Sequence, residues 1–392
     1  MVKEFKSPLG KLSKNCKQIY QYIYRYGAVT RSEIERHTGF PMSTLVRAMN
    51  SLESNGLIYA SETGESELGR KPRIYRICPD AGYIIAVDIT RTYTQVALLD
   101  LELNILNSRT FGMYSSNTPD ETIGRIIEII NEFISPLDKG KILGIGLGVV
   151  GPVDKENGVI LNPEHFSASG WKNVSIKKIL QEKTGFPVYI DDGANAAVLA
   201  EFRKGCGRHH HNIAYLIAGV GLRLGIIVNG KLLERQTYFG HTVIDKNGKD
   251  CICGKKGCLE EYFSLNVLLE EFIDEIKKGK SSIILEKVDY DLSSISFDHF
   301  CEAAKSGDVL ANDILRKAAG NLAVGLGNLI CILNPEIIVL GGTVFRKCPQ
   351  LKTYVESEVS KHCPSTVFSN GELGENAVII GAGSLVLEDY IE

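Results

Sequence analysis

The sequence predicts an α/β protein in two parts: a small, mainly helical N-terminal domain and a larger body of mixed sheets and helices. Three observations carry this prediction. The first eighty residues place apolar side chains at helical spacing, interrupted by Gly27 and Gly39, and then give two short β-rich segments. From Tyr83 the pattern changes to three β-rich segments joined by short turns, followed by alternating strand and helix. Charge divides at the same place. Residues 1–80 carry 13 Lys+Arg against 8 Asp+Glu, whereas the 392-residue chain as a whole has a net charge of −3. A basic domain on an acidic body suits an anionic partner for the N-terminal part.

In the N-terminal domain, residues 14–26 set Cys16, Ile19, Tyr20, Ile23 and Tyr26 at helical spacing, and Gly27 ends that helix. Thr30 or Ser32 caps a second helix running to about Thr38, with Ile34 facing inward. A turn carrying Gly39 follows. Ser43 or a neighbour opens a third helix with Leu45, Met49 and Leu52 on its buried face. The strand-like segments GLIYAS and RIYRICP flank a polar stretch that reads as a wing. Helix, short helix, glycine turn, helix and wing together make a winged helix-turn-helix, whose third helix enters the major groove of double-stranded DNA. Ser43, Thr44, Arg47 and Asn50 are then the candidates for base or phosphate contact, with Arg47 able to fork onto a guanine edge. The wing ends in GRKPR, and Arg70, Lys71 and Arg73 form an arm suited to a narrow A·T-rich minor groove. The bland alternatives are a helical bundle with a solvated polar face and a solvated basic linker.

The body reads as strands over 83–90, 93–100 and 103–110, a helix over about 119–135 and a strand over 141–154. A helix near 174–184, a strand over 187–192 and a helix starting near Asn195 come next. Three hairpin strands followed by strand–helix alternation suggest one lobe of an actin-like, ribonuclease-H-like fold. A second lobe then contains a long helix over 311–335, where Ala319, Ala323 and Gly327 share one face for close packing, and the strand EIIVLGG. The expected division is 1–80 for the DNA-binding domain, 81–191 for lobe 1, 192–375 for lobe 2 and 376–392 for a C-terminal helix returning to lobe 1. No strong short-period repeat is visible. No apolar run approaches the roughly 18 residues that would span a bilayer. The first residues hold no apolar signal core. The ten cysteines form no disulfide framework: three cluster at Cys251, Cys253 and Cys258, and the rest read as scattered thiols in apolar surroundings. Cytoplasm is the expected location.

The segments GLGVVGPVD, ANAAVLAE, GIIVNGKLL, GHTVID…CICGKKGCLEEY and LNPEIIVLGG, in this order, resemble the ROK family of repressors, open reading frames and sugar kinases. The resemblance covers about residues 80–390, and with the winged helix it is most similar to the repressor branch. It implies that His241, Cys251, Cys253 and Cys258 hold a structural Zn²⁺ in a closed tetrahedral set of three thiolates and one imidazole. The triple histidine at 209–211 reads as a surface turn, not as a ligand set. The family's sugar positions fall on Asp192, Tyr238, His241 and Glu260; Tyr238 stands where kinases have Glu, and Asp192 where they have Asn. His241 as a zinc ligand alone is the competing reading.

The family's kinase chemistry needs a carboxylate to take a hydroxyl proton and glycine turns to admit ATP phosphates. The catalytic aspartate position falls on Gly193, one residue from Asp192. The first phosphate loop reads Asp88, Ile89, Thr90, Arg91, Thr92 without its glycines. The second, Gly219 to Gly225, has Val220 in place of the family's Thr and carries Leu222, Arg223 and Leu224 between its last two glycines; Gly341 and Gly342 survive. Arg91 or Arg223 could hold a phosphorylated effector instead. The expectation is a homodimeric or homotetrameric regulator of carbohydrate-utilisation genes. A sugar or sugar-phosphate bound between the lobes gates it, and kinase activity is lost. The rivals are an ATP-dependent ROK sugar kinase with an appended DNA-binding head, and a protein-binding adaptor.

Overall fold

The computed structural model describes residues 2–5, 12–61, 73–163 and 166–391. The expected DNA contacts Arg70 and Lys71 lie outside the described residues. Two compact units are present, the first comprising residues 1–208 with 376–392 and the second residues 209–375.

In the first unit, the N-terminal domain comprises α1 (Lys14–Tyr26), β1 (Val29–Thr30), α2 (Arg31–Thr38), α3 (Met42–Ser54), β2 (Ile58–Ser61) and β3 (Ile74–Ile77). Thr30 opens α2 with a reciprocal capping box: its hydroxyl accepts from the Glu33 N–H, and the Glu33 carboxylate accepts from the Thr30 N–H. Gly39 ends α2 in the left-handed conformation, at φ 64°. The sheet order is β1-β3-β2, so the two residues before α2 contribute an unanticipated third strand. Leu45, Met49 and Leu52 are buried on α3, as their spacing predicts. On α1, Tyr24 is more deeply buried than Tyr26, because α1 also packs on helices of the body.

The rest of that unit contains β4 (Tyr83–Ile89), β5 (Tyr93–Asp100), β6 (Ile105–Gly112), α4 (Pro119–Ile134), β7 (Ile142–Val149), β8 (Val153–Asp154), β9 (Val159–Ile160), α5 (Ile176–Thr184), β10 (Val188–Asp192) and α6 (Gly193–Lys204). In the second unit lie β11 (Ile213–Ala218), β12 (Leu222–Val228), β13 (Lys231–Leu232), α7 (Leu265–Lys277), α8 (Ile284–Lys287), α9 (Phe297–Lys305), α10 (Val309–Leu333), β14 (Ile337–Gly341), α11 (Thr343–Lys347), α12 (Gln350–Ser360) and β15 (Val367–Ser369). The last helix, α13 (Ala377–Ile391), belongs to the first unit.

Each unit has a five-stranded sheet with the same order: β6-β5-β4-β7-β10 in the first and β13-β12-β11-β14-β15 in the second. In each, three strands run antiparallel and two more join in parallel. The sequence shows no strong short-period repeat to match this duplication.

The alternation in β7 shows how one strand serves two faces. Ile145, Leu147 and Val149 enter the core built with α4 and α5. Gly144, Gly146 and Gly148 face the other way, where a Cβ on Gly146 would lie 1.8 Å from the Ala382 carbonyl oxygen of α13. Gly381 of α13 in turn lies against Ala196 of α6, where a Cβ would meet the Ala196 oxygen at 1.8 Å. Packing against α13 therefore keeps α6 in the first unit, and the division falls after Arg208, not at 191/192. On α10 the close approach is made at Gly325, whose Cβ would lie 2.6 Å from Leu259; Gly327, expected to serve this role, faces open space. A further difference concerns Cys301 and Cys348, expected as separate thiols, which lie side by side with Cα atoms 5.5 Å apart, a separation that a disulfide spans.

Candidate nucleic-acid interface and metal centre

The exposed side of α3 carries Ser43, Arg47 and Asn50, with Thr44 partly buried beside them. Their spacing puts them on the face opposite Leu45, Met49 and Leu52, so contact with a ligand leaves the domain core untouched. Arg73, directly before β3, is also exposed. Arg31 is not a free cation of this surface: its guanidinium donates to the Tyr75 hydroxyl at 2.9 Å and fixes α2 against β3.

The domain is docked on its own unit through α1. The Arg25 guanidinium stacks 3.8 Å from the centre of the Phe202 ring on α6. Arg203 lies over Tyr24 and pairs with Glu388 of α13, both side chains being nearly buried. Gln21 donates to the Ile391 carbonyl oxygen. Sequence spacing gives no sign of this junction, because Arg25 and Arg203 read as surface charges.

The other end of α6 begins at Asp192. One carboxylate oxygen accepts the Ala194 N–H at 2.8 Å and caps the helix; the other accepts the Gly151 N–H at 3.2 Å. The cap explains why α6 starts at Gly193, two residues before the expected position. Asp191 is 1% exposed and takes Lys155 at 2.6 Å, together with the Asn195 side chain and the Asp192 N–H. Burial raises the Asp191 carboxyl above its usual range, and Lys155 opposes the shift.

In the first loop, Asp88 is buried and accepts from the Tyr93 hydroxyl at 3.0 Å. The Thr90 hydroxyl closes the turn by accepting from the Thr92 and Tyr93 N–H groups. Side-chain atoms of Thr90 thus fill the turn between β4 and β5.

In the second unit, Glu260 sits in a cradle formed by Gly221 and Gly240, where added Cβ atoms would lie 2.7 and 2.9 Å from its Oε2. That oxygen accepts the Leu222 N–H at 2.6 Å. The carboxylate is therefore tied to the β11–β12 turn. Tyr238 is 65% exposed, and His241 is partly buried.

His241, Cys251, Cys253 and Cys258 bring four ligand atoms within 4.8 Å of one another. Cys251 Sγ is 3.5 Å from His241 Nδ1, and the Sγ atoms of Cys253 and Cys258 are 3.5 Å apart. Ligands at Zn–S and Zn–N bond lengths of about 2.3 and 2.0 Å, in a tetrahedron, lie roughly 3.5–3.8 Å apart, so the set fits a four-coordinate metal. Gly257, at φ 71°, lets the chain pass Asp245, where a Cβ would meet the carbonyl oxygen at 1.5 Å. Burial pushes the Cys251 and Cys258 thiols up, and the Lys255 backbone N–H draws Cys253 down.

Comparison with known proteins agrees with this anatomy. Residues 84–389 match the ROK family, and residues 11–80 match the sugar-specific transcriptional regulator TrmB. The chain is 28% identical to the xylose repressor of Bacillus spizizenii (strain ATCC 23059 / NRRL B-14472 / W23), with 96% of each chain covered. It is 25% identical to the DNA-binding transcriptional repressor Mlc of Escherichia coli (strain K12), with 95% of each covered. A glucokinase of Thermotoga maritima is 31% identical, over 78% of this chain and 97% of the enzyme. Among solved structures, a ROK family transcriptional regulator homologous to E. coli MLC superposes with a TM-score of 0.77 at 23% identity, covering 96% of both chains. The body and its matched segment are thus accounted for together: this chain belongs to the ROK family.

Proposed function

We propose that this protein is a sugar-responsive, DNA-binding transcriptional repressor of carbohydrate-utilisation genes. The observation that carries the reading is the capped helix-turn-helix, with Ser43, Thr44, Arg47 and Asn50 on the outer side of α3, joined to a ROK body. Full-length similarity to xylose repressors and to Mlc supports it. Arg70, Lys71 and Arg73 extend the contact into the minor groove. A homodimer or homotetramer places two heads on half-sites separated by whole helical turns.

The kinase activity is lost in this reading. Gly193 has no side chain to take a proton, and the neighbouring Asp192 carboxylate caps α6 and accepts the Gly151 N–H. The metal centre is a structural Zn²⁺ site held by His241, Cys251, Cys253 and Cys258. When bound, Zn²⁺ would supply a crosslink between these four side chains, which hold His241 and the loop ending at Glu260. Asp192, Tyr238, His241 and Glu260 are proposed as effector contacts. Because α6 begins at Asp192 and ends against α1, a change in the bonding of Asp192 has a rigid path to the DNA-binding head. Its effect is bounded by the difference in sugar affinity between the two conformations.

The test is binding of the purified protein to the intergenic region beside its own gene, at fixed salt, with D-xylose, D-glucose, N-acetylglucosamine and their phosphates. Tight, competitor-resistant binding relieved by one of these supports the reading, and absence of binding overturns it. Similarity to a glucokinase supports a second reading, an ATP-dependent sugar kinase. Turnover above roughly 1 s⁻¹ in a coupled assay over the same sugars would establish that reading instead.

A further inference from the structure

Cys301 lies on α9 and Cys348 directly follows α11, 47 residues apart in sequence. Their Cα atoms are 5.5 Å apart, inside the window of about 4.4–6.8 Å that a disulfide spans without moving the backbone. The two side chains are 3% and 0% exposed and belong to the main apolar core of the second unit. They are chemically separate from the Cys251–Cys253–Cys258 set, where Cys253 is exposed and His241 completes a ligand group.

From this geometry we infer that Cys301 and Cys348 are a modification site: a dithiol that a two-electron oxidant, a peroxide or a low-molecular-weight disulfide, converts reversibly into an intramolecular bond. With hydrogen peroxide, one thiolate attacks a peroxide oxygen and becomes a sulfenic acid, and the other peroxide oxygen leaves as water. The second sulfur then displaces the sulfenic oxygen, which departs as water with the second thiol's proton. The balance is two thiols and one peroxide to one disulfide and two waters. With a disulfide as oxidant, two exchanges release two small thiols.

Burial decides the kinetics. Neither sulfur meets solvent in the closed fold, so reaction waits for local opening of the short α11 segment that follows Gly342. The bond ties that segment to α9. Just beyond the two cysteines lies a cavity of ≈ 530 Å³, walled by Lys305, Gln350, Asn312, Arg316 and Tyr354 among others. Lys305 follows Cys301 on α9, and Gln350 follows Cys348 at the start of α12. The inference does not depend on DNA or sugar binding.

The test uses the full zinc-loaded chain, purified under dithiothreitol and exposed to hydrogen peroxide or oxidised glutathione. Samples are unfolded in iodoacetamide and mapped by mass spectrometry without reduction. The expected result is a linked peptide joining Cys301 to Cys348 that dithiothreitol reverses. A rise in Tm of roughly 10 °C over the reduced protein should accompany it. Both C301A and C348A should lose the linked peptide and the rise, with zinc content unchanged. Alanine avoids burying an unpaired hydroxyl, and zinc content reports that the fold is intact. Full alkylation of Cys301 and Cys348 after oxidation, with disulfides confined to the Cys251–Cys253–Cys258 set, would overturn the inference. So would a bond that dithiothreitol fails to open in the unfolded chain, or a Tm that does not move.

Discussion

The carboxylate of Glu260 accepts the backbone N–H of Leu222 at 2.6 Å, and Gly221 leaves the space for it to do so. A residue expected to meet a sugar is therefore also the anchor of the β11–β12 turn. G221A places a Cβ 2.7 Å from that oxygen, so it should destabilise the fold by about 1–2 kcal/mol. E260Q keeps an acceptor and should cost less than E260A. Thermal unfolding of the three variants checks the order.

Arg47 is exposed, so its removal separates binding from folding. R47A should weaken specific DNA binding by roughly 10- to 100-fold and leave Tm unchanged. An equal loss on specific and random DNA would show that Arg47 meets phosphate and not a base.

The four-ligand set predicts zinc that copurifies in equimolar amount and a fold that weakens without it. C258S, at a fully buried ligand position, should abolish metal retention and lower Tm more than any surface substitution. Elemental analysis with thermal melts in the presence and absence of a chelator measures both.

Lys155 and Asp191 form a charge pair with one partner buried and the other a third exposed. K155M leaves the carboxylate uncompensated and should cost roughly 2 kcal/mol at neutral pH, less than a fully buried pair would lose; D191N should cost less. The folded-state pKa of Asp191 is raised. Its contribution therefore favours folding at acid pH and declines as pH rises from the unfolded value, about 3.9, through the raised one. The K155M deficit should accordingly shrink as pH falls, which denaturant titrations at pH 4 and pH 7 would show.

Arg25 stacks on Phe202 at the end of the helix that starts at Asp192. R25A should leave operator affinity within about threefold, because Arg25 is not on the outer side of α3, yet reduce relief of binding by an active sugar. Unchanged relief would assign coupling to another route.

Much of this molecule was legible before any coordinates. Apolar spacing placed Leu45, Met49 and Leu52, and through them the exposed side of α3, because helical periodicity is a local property. The family resemblance pointed to His241, Cys251, Cys253 and Cys258, and the folded chain brings their four ligand atoms within 4.8 Å of one another. Glycines in β7 were read as a family motif, but their work is to admit α13, a contact between segments more than two hundred residues apart in sequence.

By itself, the sequence determined the head, the main strands and helices of the first unit and the absence of a side chain at Gly193, since each depends on residue type and near neighbours. Only the tertiary structure decided that α6 packs with the first unit, that Asp192 is held by Ala194 and Gly151, and that Glu260 holds a turn. It also decided that Cys301 meets Cys348. Those outcomes depend on which distant backbone groups arrive within hydrogen-bonding or bonding distance, and such distances are set by the packing of the whole unit.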